Sequence, residues 1–227
     1  MARVKWCGHS YIVIETDYGS IAIDPHDGGS IGLPECRVEA DIVLVTHDHY
    51  DHNAVEHARG RKSRIIKWDV SPRDLGWARI HGYRYYHDKA SGSLRGSVVA
   101  YRIELPREEL VVAHLSDIGH IPPREALTSL MEADILALPV GGVITVNALE
   151  AWELVRILKP RLVVPLHFWM PGSIVPLDPL ERFLQVSKAR RLRVEGGEIP
   201  VEKADLPDKP TIIVFEKTIT GRRTLLT

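Results

Sequence analysis

Short apolar runs separated by turn residues dominate the first half of the chain. Val4 to Cys7, Tyr11 to Thr16 and Ser20 to Asp24 are rich in β-branched and aromatic residues, and Asp17-Tyr18-Gly19 supplies a hairpin turn between the last two. Gly28-Gly29 and Gly32-Leu33-Pro34 mark an irregular loop. Asp41-Ile42-Val43-Leu44-Val45 is a short, nearly continuous apolar run, the pattern of a strand buried on both faces. Further strands are predicted at Arg64 to Trp68, Gly82 to Tyr86, Ser97 to Leu105 and Leu110 to His114.

The second half alternates differently. A helix is predicted from just after Pro122-Pro123 to about Ala133, followed by a buried strand over Ile135 to Leu138. Thr145 is the predicted cap of a helix whose Ala148, Ala151, Trp152, Val155 and Leu158 share one face, with Pro160 as its stop. A buried strand over Arg161 to Leu166 and a short helix from Pro179 to about Val186 complete the pattern. Many strands with helices between some of them imply a layered α/β architecture. No linker or repeat interrupts the 227 residues, so one domain over 1–227 is expected.

Composition narrows the function. With 44% hydrophobic and 26% charged residues the chain is of ordinary globular type, and a net charge of −1 disfavours a nucleic-acid binder. The local basic clusters at Arg59 to Lys62, Arg190 to Arg193 and Arg222-Arg223 read as solvated loops or strand ends. Cys7 and Cys36 form no Cys-x-x-Cys pair, and two cysteines are too few for a disulfide framework. No apolar run approaches the roughly 20 residues that span a bilayer. Met1 to Trp6 reads as a strand and not a signal peptide, so a cytoplasmic protein is expected, and a homo-oligomer is left open. Asn53, Asn147 and Gln185 are the only amides, a depletion that suggests a hyperthermophile.

The chemistry gathers behind the buried strand. His47, His49, Asp51 and His52 fall within six consecutive positions, in a run too polar to be a core strand. A loop entering a helix over Asn53 to Ala58 would turn these groups toward one point. Imidazoles with carboxylates suit zinc, iron or manganese, and the lack of thiolates disfavours a purely structural zinc site. His57 and His81 read as ordinary structural histidines. Burying three histidines and a carboxylate unpaired would cost several kcal/mol, which favours the metal reading.

Thr46-His47-Asp48-His49-Tyr50-Asp51-His52 resembles the Thr-His-x-His-x-Asp-His signature of the metallo-β-lactamase superfamily. Trp6 to Ser10, Ile23-Asp24-Pro25, Tyr86-His87-Asp88, His114 to Asp117, Pro139 to Gly142 and Val164 to His167 follow in the order of its ascorbate-6-phosphate-lactonase-like branch. The resemblance implies a four-layer αβ/βα sandwich of two mixed β-sheets flanked by helices. It also implies two divalent ions, zinc first, with manganese or iron open. One ion falls to His47, His49 and His87 and the other to Asp51, His52 and His167, with Asp117 bridging them. Asp24 would support the site from behind, and His9 and His120 are candidate pocket residues. Gly141-Gly142 would let backbone approach the site closely. Two positions depart from the family pattern: Ser116 stands where glycine is usual before the bridging acid, and Phe168-Trp169-Met170 stands where relatives often carry a tyrosine and a lysine. Neither departure touches the ligand set; if that lysine binds an anionic substrate in relatives, the pocket here is more apolar and accepts something different.

The expected activity is hydrolysis of a small ester, lactone or phosphate-containing substrate by a metal-activated hydroxide, with Asp51 or Asp117 orienting the nucleophile and His120 a candidate proton donor. The alternatives are a phosphodiesterase or nuclease, which needs a basic groove from Arg59 to Arg64, Arg84 and Arg95, a non-hydrolytic di-iron redox protein, and a metal-holding scaffold without turnover. The partner expected is a small molecule, with neither nucleic acid nor membrane.

Overall fold

The alternating and continuous apolar runs form the strands of two facing sheets in a computed structural model that describes residues 1–219. In chain order the strands and helices are β1 (Ala2–Trp6), β2 (Ile12–Thr16), β3 (Gly19–Ile23), β4 (Ala40–Val45), β5 (Arg59–Lys67), β6 (Arg73–Asp74), β7 (Arg79–Tyr86), β8 (Ser97–Leu105), β9 (Leu110–His114), α1 (Arg124–Leu127), β10 (Ile135–Pro139), α2 (Ala148–Leu158), β11 (Leu162–Leu166), α3 (Leu180–Val186), β12 (Arg190–Val194), β13 (Glu198–Val201) and β14 (Thr211–Phe215). The first sheet runs β13-β1-β2-β3-β4-β5 and the second β12-β14-β11-β10-β9-β8-β7-β6. Both are mixed: β1 to β3 form an antiparallel meander while β3, β4 and β5 are parallel, and β9 to β11 are parallel while β7 to β9 are antiparallel. The expected sandwich of two mixed sheets is the fold observed.

Alternation explains the packing. Ile12, Ile14, Ile21, Ile23, Ile42 and Leu44 turn inward and meet Val98, Ala100 and Val112 of the second sheet in one core. The opposite face of the first sheet, with Val13, Ala22 and Val43, is covered by Tyr11, Cys36 and Ala58. This double burial is why β4 carries no polar alternation after Asp41. On the outside of the second sheet α2 packs on α3, with Trp152 edge-on to Phe183.

Several element boundaries differ from expectation. Residues 53–58 form only a single 3-10 turn over Val55–His57, because Ala58 must already pair with Ala40 as the chain enters β5. The helix after Pro123 stops at Leu127 and tightens into a 3-10 turn, where the Thr128 hydroxyl donates back to the Glu125 carbonyl at 2.9 Å. Helix α2 is capped by Asn147, not Thr145. Asn147 accepts from the backbone of Leu149 and Glu150 while the Glu150 carboxylate takes the Asn147 N–H. Thr145 is buried, and its hydroxyl bonds to the Gly142 and Val146 carbonyls.

Cys7 and Cys36 form a disulfide, which two cysteines alone did not suggest. It closes a 29-residue separation, and loop entropy for that length corresponds to about 3–4 kcal/mol. The bridge ties the loop after β3 to the segment that precedes His9. The basic clusters at Arg59 to Lys62 and Arg190 to Arg193 lie on β5 and β12, and Arg222-Arg223 falls outside the described residues. No helix among the described residues is long and apolar enough to cross a membrane.

Candidate metal centre

The ligand candidates sit where strands end. β4 runs straight into Thr46 to His52, β7 into His87, β9 into Ser116-Asp117, and β11 into His167. At the last two of these exits, and after β1 and β3, the chain turns through the left-handed region: Ser116 at φ 54, His167 at φ 49, His9 at φ 50 and Asp24 at φ 52. Such a backbone costs a non-glycine residue about 1–2 kcal/mol, and four instances around one point mark a site rather than a set of loose turns. Two glycines let the loops touch. A Cβ on Gly119 would lie 2.4 Å from the backbone of His87 and Asp88, and one on Gly141 would lie 2.1 Å from the His167 carbonyl oxygen. The close approach expected of Gly141 is therefore present.

Two clusters of ligand atoms result. His47, His49 and His87 form one, and Asp51, His52, His167 and His9 form the other, with the atoms of each within 4.8 Å of one another. Asp117 stands between them. Its Oδ2 lies 3.4 Å from His87 Nε2 and 4.0 Å from His47 Nε2 on one side, and 3.2 Å from His52 Nε2 and 3.0 Å from His167 Nε2 on the other.

Hydrogen bonds settle which nitrogens point inward. Asp24, fully buried, accepts from the Thr46 N–H at 2.8 Å, the Thr46 hydroxyl at 2.7 Å and His52 Nδ1 at 3.0 Å. His52 thus keeps its proton on Nδ1 and turns Nε2 toward Asp117. The Thr46 hydroxyl proton is spent on Asp24, and that oxygen also accepts from Ser116 Oγ at 2.6 Å. His47 Nδ1, 2.9 Å away, must then be the donor, which leaves Nε2 as a lone pair facing His49 and His87. One carboxylate therefore sets a tautomer in each cluster. Asp51 is held in turn by His9 Nε2 at 3.0 Å.

Burial and mutual charge shape the titration. His9 is pushed down to about 3 by burial, with His167 beside it adding to the effect. Burial also lowers His47 and His49, helped by His52 at the first and His87 at the second. His52 behaves oppositely: burial opposes its charge, but Asp117, Asp51 and Asp24 hold its pKa well above the usual histidine range. Burial pushes Asp51 and Asp117 upward, yet the imidazoles around them prevail and keep both carboxyls below the usual range.

The donor set fits divalent metal ions. His87 Nδ1 and His167 Nδ1 are buried with no hydrogen-bond partner, a state that costs about 1–3 kcal/mol per group. The Nε2 atoms of His52, His87 and His167 make no hydrogen bond and crowd on the single Asp117 Oδ2 at 3.0 to 3.4 Å. Imidazole and carboxylate donors suit zinc, manganese or iron.

Other residues fall outside the clusters. His120 is half-buried, its Nδ1 donating to the Tyr86 carbonyl at 3.2 Å. His26 and His114, which the sequence did not single out, are buried and bond to the Gly8 and Ser10 carbonyls, each at 3.3 Å. They hold the loop that carries His9. Thr46 and Ser116 were also missed as orienting groups, and the only signal for either was its position next to a ligand. Among the substituted residues after His167, Phe168 turns into the core and stacks on Trp6, while Trp169 is exposed.

Comparison with known proteins points the same way. The family described as Beta-lactamase superfamily domain matches residues 3–167. A metal-dependent hydrolase of the UPF0173 family from Thermococcus onnurineus is 31% identical over 230 residues, covering 88% of this chain and 99% of the relative. A Thermotoga maritima structure, described as a candidate Zn-dependent hydrolase of the metallo-β-lactamase superfamily, superposes with a TM-score of 0.78 at 26% identity, covering 96% of this chain and 100% of that one. A diiron β-hydroxylase from Streptomyces venezuelae shares the fold at a TM-score of 0.54 and 15% identity, over 73% of this chain and 44% of its own. Further relatives come from Pyrococcus and Thermococcus, hyperthermophilic archaea, in keeping with the amide-poor composition.

Proposed function

The chain belongs to the beta-lactamase superfamily and is a metal-dependent hydrolase, and from that premise we propose that it uses two divalent ions to hydrolyse a small ester, lactone or phosphate-containing molecule. His47, His49 and His87 would hold one ion, Asp51, His52 and His167 the other, and Asp117 would bridge them. Zinc is the first candidate, with manganese or iron as alternatives. Ions so held lower the pKa of a water from 15.7 to about 7 and polarise a carbonyl or phosphoryl oxygen.

The protein groups supply position and proton handling. Asp51, pinned by His9, and Asp117, at the junction of the clusters, accept hydrogen bonds from the attacking water and hold it toward the substrate. His120 has Nδ1 tied to the Tyr86 carbonyl, so Nε2 of the neutral ring is a lone pair that would first take the proton released by the attacking water and then pass it to the leaving group. Asp24 acts only through Thr46, His47 and His52. The observation that carries the reading is the position of Asp117 Oδ2, within 3.4 Å of a histidine nitrogen from each cluster.

The placement of the β5 arginines favours hydrolysis of a small molecule over a nuclease, although Arg95 does line a cavity beside the His87 loop. Arg59 and Arg64 pair with Ala40 and Ile42, at the end of β4 remote from His47, so they do not flank the ligand loops. The diiron relative shows that this fold also hosts oxidation, but at 15% identity it speaks for the fold alone. We place the protein in the cytoplasm, where cystines do occur in hyperthermophile proteins.

The test strips the protein with a chelator, reloads it with zinc, manganese or iron, and screens esters, lactones and phosphodiesters. Metal-dependent turnover that disappears in His49→Ala supports the proposal. Full activity in metal-analysed His49→Ala, or no turnover at full occupancy, would overturn it.

A further inference from the structure

Beside the ligand loops lies a cavity of about 330 Å³ whose apolar lining is Leu94, Val143 and Ile144. Its walls continue the segments that carry two of the ligand candidates: Asp88 follows His87, and Gly119 lies just beyond Asp117 and packs on the His87-Asp88 backbone. The cavity thus lies beside the loops that carry His87 and Asp117.

Two of its apolar side chains are held in water by built structure. Leu94 is 78% exposed at the tip of a loop whose shape is set by Asp88. That carboxylate accepts from the backbone N–H groups of Ala90, Gly92, Leu94 and Arg95 at 2.7 to 3.1 Å. Val143 is 68% exposed with φ 58, a conformation that is a genuine outlier for a β-branched residue. The tight turn around it is closed by Ile144 and Thr145 N–H bonds to the Gly142 carbonyl. Neither exposure nor strain helps the fold, so both point to a ligand.

Charge around the cavity is largely spent. Asp88 is saturated by backbone donors and Lys89 pairs with Glu150 at 2.5 Å. Of the charged residues that line the cavity, Arg95 has no ion pair among the described residues, and its stem can lie along an apolar surface.

We propose that this cavity seats an apolar chain of the substrate, so that the enzyme acts on esters or lactones bearing an alkyl or acyl chain, with Leu94 and Val143 setting chain-length preference. The proposal rests on the hydrolase reading. Each methylene buried there would add about three- to fourfold to kcat/KM until the cavity is full.

The test measures zinc-loaded protein on p-nitrophenyl esters from acetyl to octanoyl, alongside Leu94→Ser, Val143→Gly and, as a remote exposed control, Leu192→Ser. A steep rise with chain length is expected in the wild type and in Leu192→Ser. In the two cavity variants the loss should grow with chain length, to at least tenfold on the octanoyl ester. A flat wild-type profile, or an equal loss at every length, would overturn the proposal. If no ester is cleaved, the lactone and phosphodiester screen tests the hydrolase reading separately, and calorimetry with octanoate and acetate decides the cavity assignment. Octanoate binding that weakens in Leu94→Ser supports the cavity assignment, while absent or unaltered binding refutes it.

Discussion

The two ligand clusters lie side by side but are built on different principles. The three-histidine cluster is partly open, since His49 is half-buried and the neighbouring Tyr50 is 63% exposed. Burial and mutual repulsion keep His47 and His49 neutral, so their lone pairs are available without displacing a proton. The aspartate-bearing cluster is closed and charge-dense. There His52, fully buried, balances three carboxylates, and His9 clamps one of them. The first cluster resembles an exchangeable metal site. The second is also a stable ion-pair network without metal, and Asp117 and Asp24 are the residues that serve both.

Breaking a shared residue should therefore cost most. Asp117→Asn is expected to lower hydrolysis on the order of 10³-fold, as expected when transition-state charge stabilisation is lost, and to reduce bound metal from two ions toward one. Activity assays paired with elemental analysis check this. Asp24→Asn loses the acceptor that fixes His52 and, through Thr46, His47. The expected cost is about 10–100-fold in metal affinity, felt in both clusters. An effect confined to one cluster would contradict the shared-support account.

Acidity should separate the clusters. In the metal-free protein the raised pKa of His52 means that, below it, metal must displace a proton, so affinity at that cluster falls by up to about tenfold per pH unit. Asp51 and Asp117, held below the usual carboxyl range, stay ionised at mild acidity and add no competition there. His47 and His49 are lowered, so the three-histidine cluster should change little near neutrality. Metal titrations from pH 8 to pH 6 that weakened both sites equally would remove the distinction.

The smallest effect concerns Ser116. Its backbone favours glycine, while its hydroxyl bonds to Thr46 at 2.6 Å. Ser116→Gly should be about 1 kcal/mol more stable than Ser116→Ala by thermal melts, because only the first relieves the left-handed backbone. Both variants should weaken the His47 cluster a few-fold, leaving the other cluster unchanged.

These particulars also mark what was legible in the sequence. The residues that gather into the candidate metal centre were, because strand-terminal histidines and aspartates interrupt apolar runs and match a family pattern. So were β2, β3, β4, β8 and β9, whose bounds followed directly from apolar runs and turn residues. The three strands after Val186 were not: Arg190–Val194 is exposed along most of its length and has no alternation to betray it. The turn at Val55–His57 was mistaken for a helix because the register of β5 against β4 is a long-range constraint. Asn147 was readable as a cap from Asn-x-x-Glu, but Thr145 lay nearer to hand. The roles of Thr46, Ser116 and His9 depend on hydrogen bonds between distant strand ends, which no local pattern records.

The central claim is that both clusters bind metal, joined by Asp117. Calorimetric titration of the metal-free protein with zinc at pH 7.5 tests it most directly. Two equivalents per chain are predicted, falling to one in His49→Ala; saturation of the unaltered protein at a single equivalent would contradict the account.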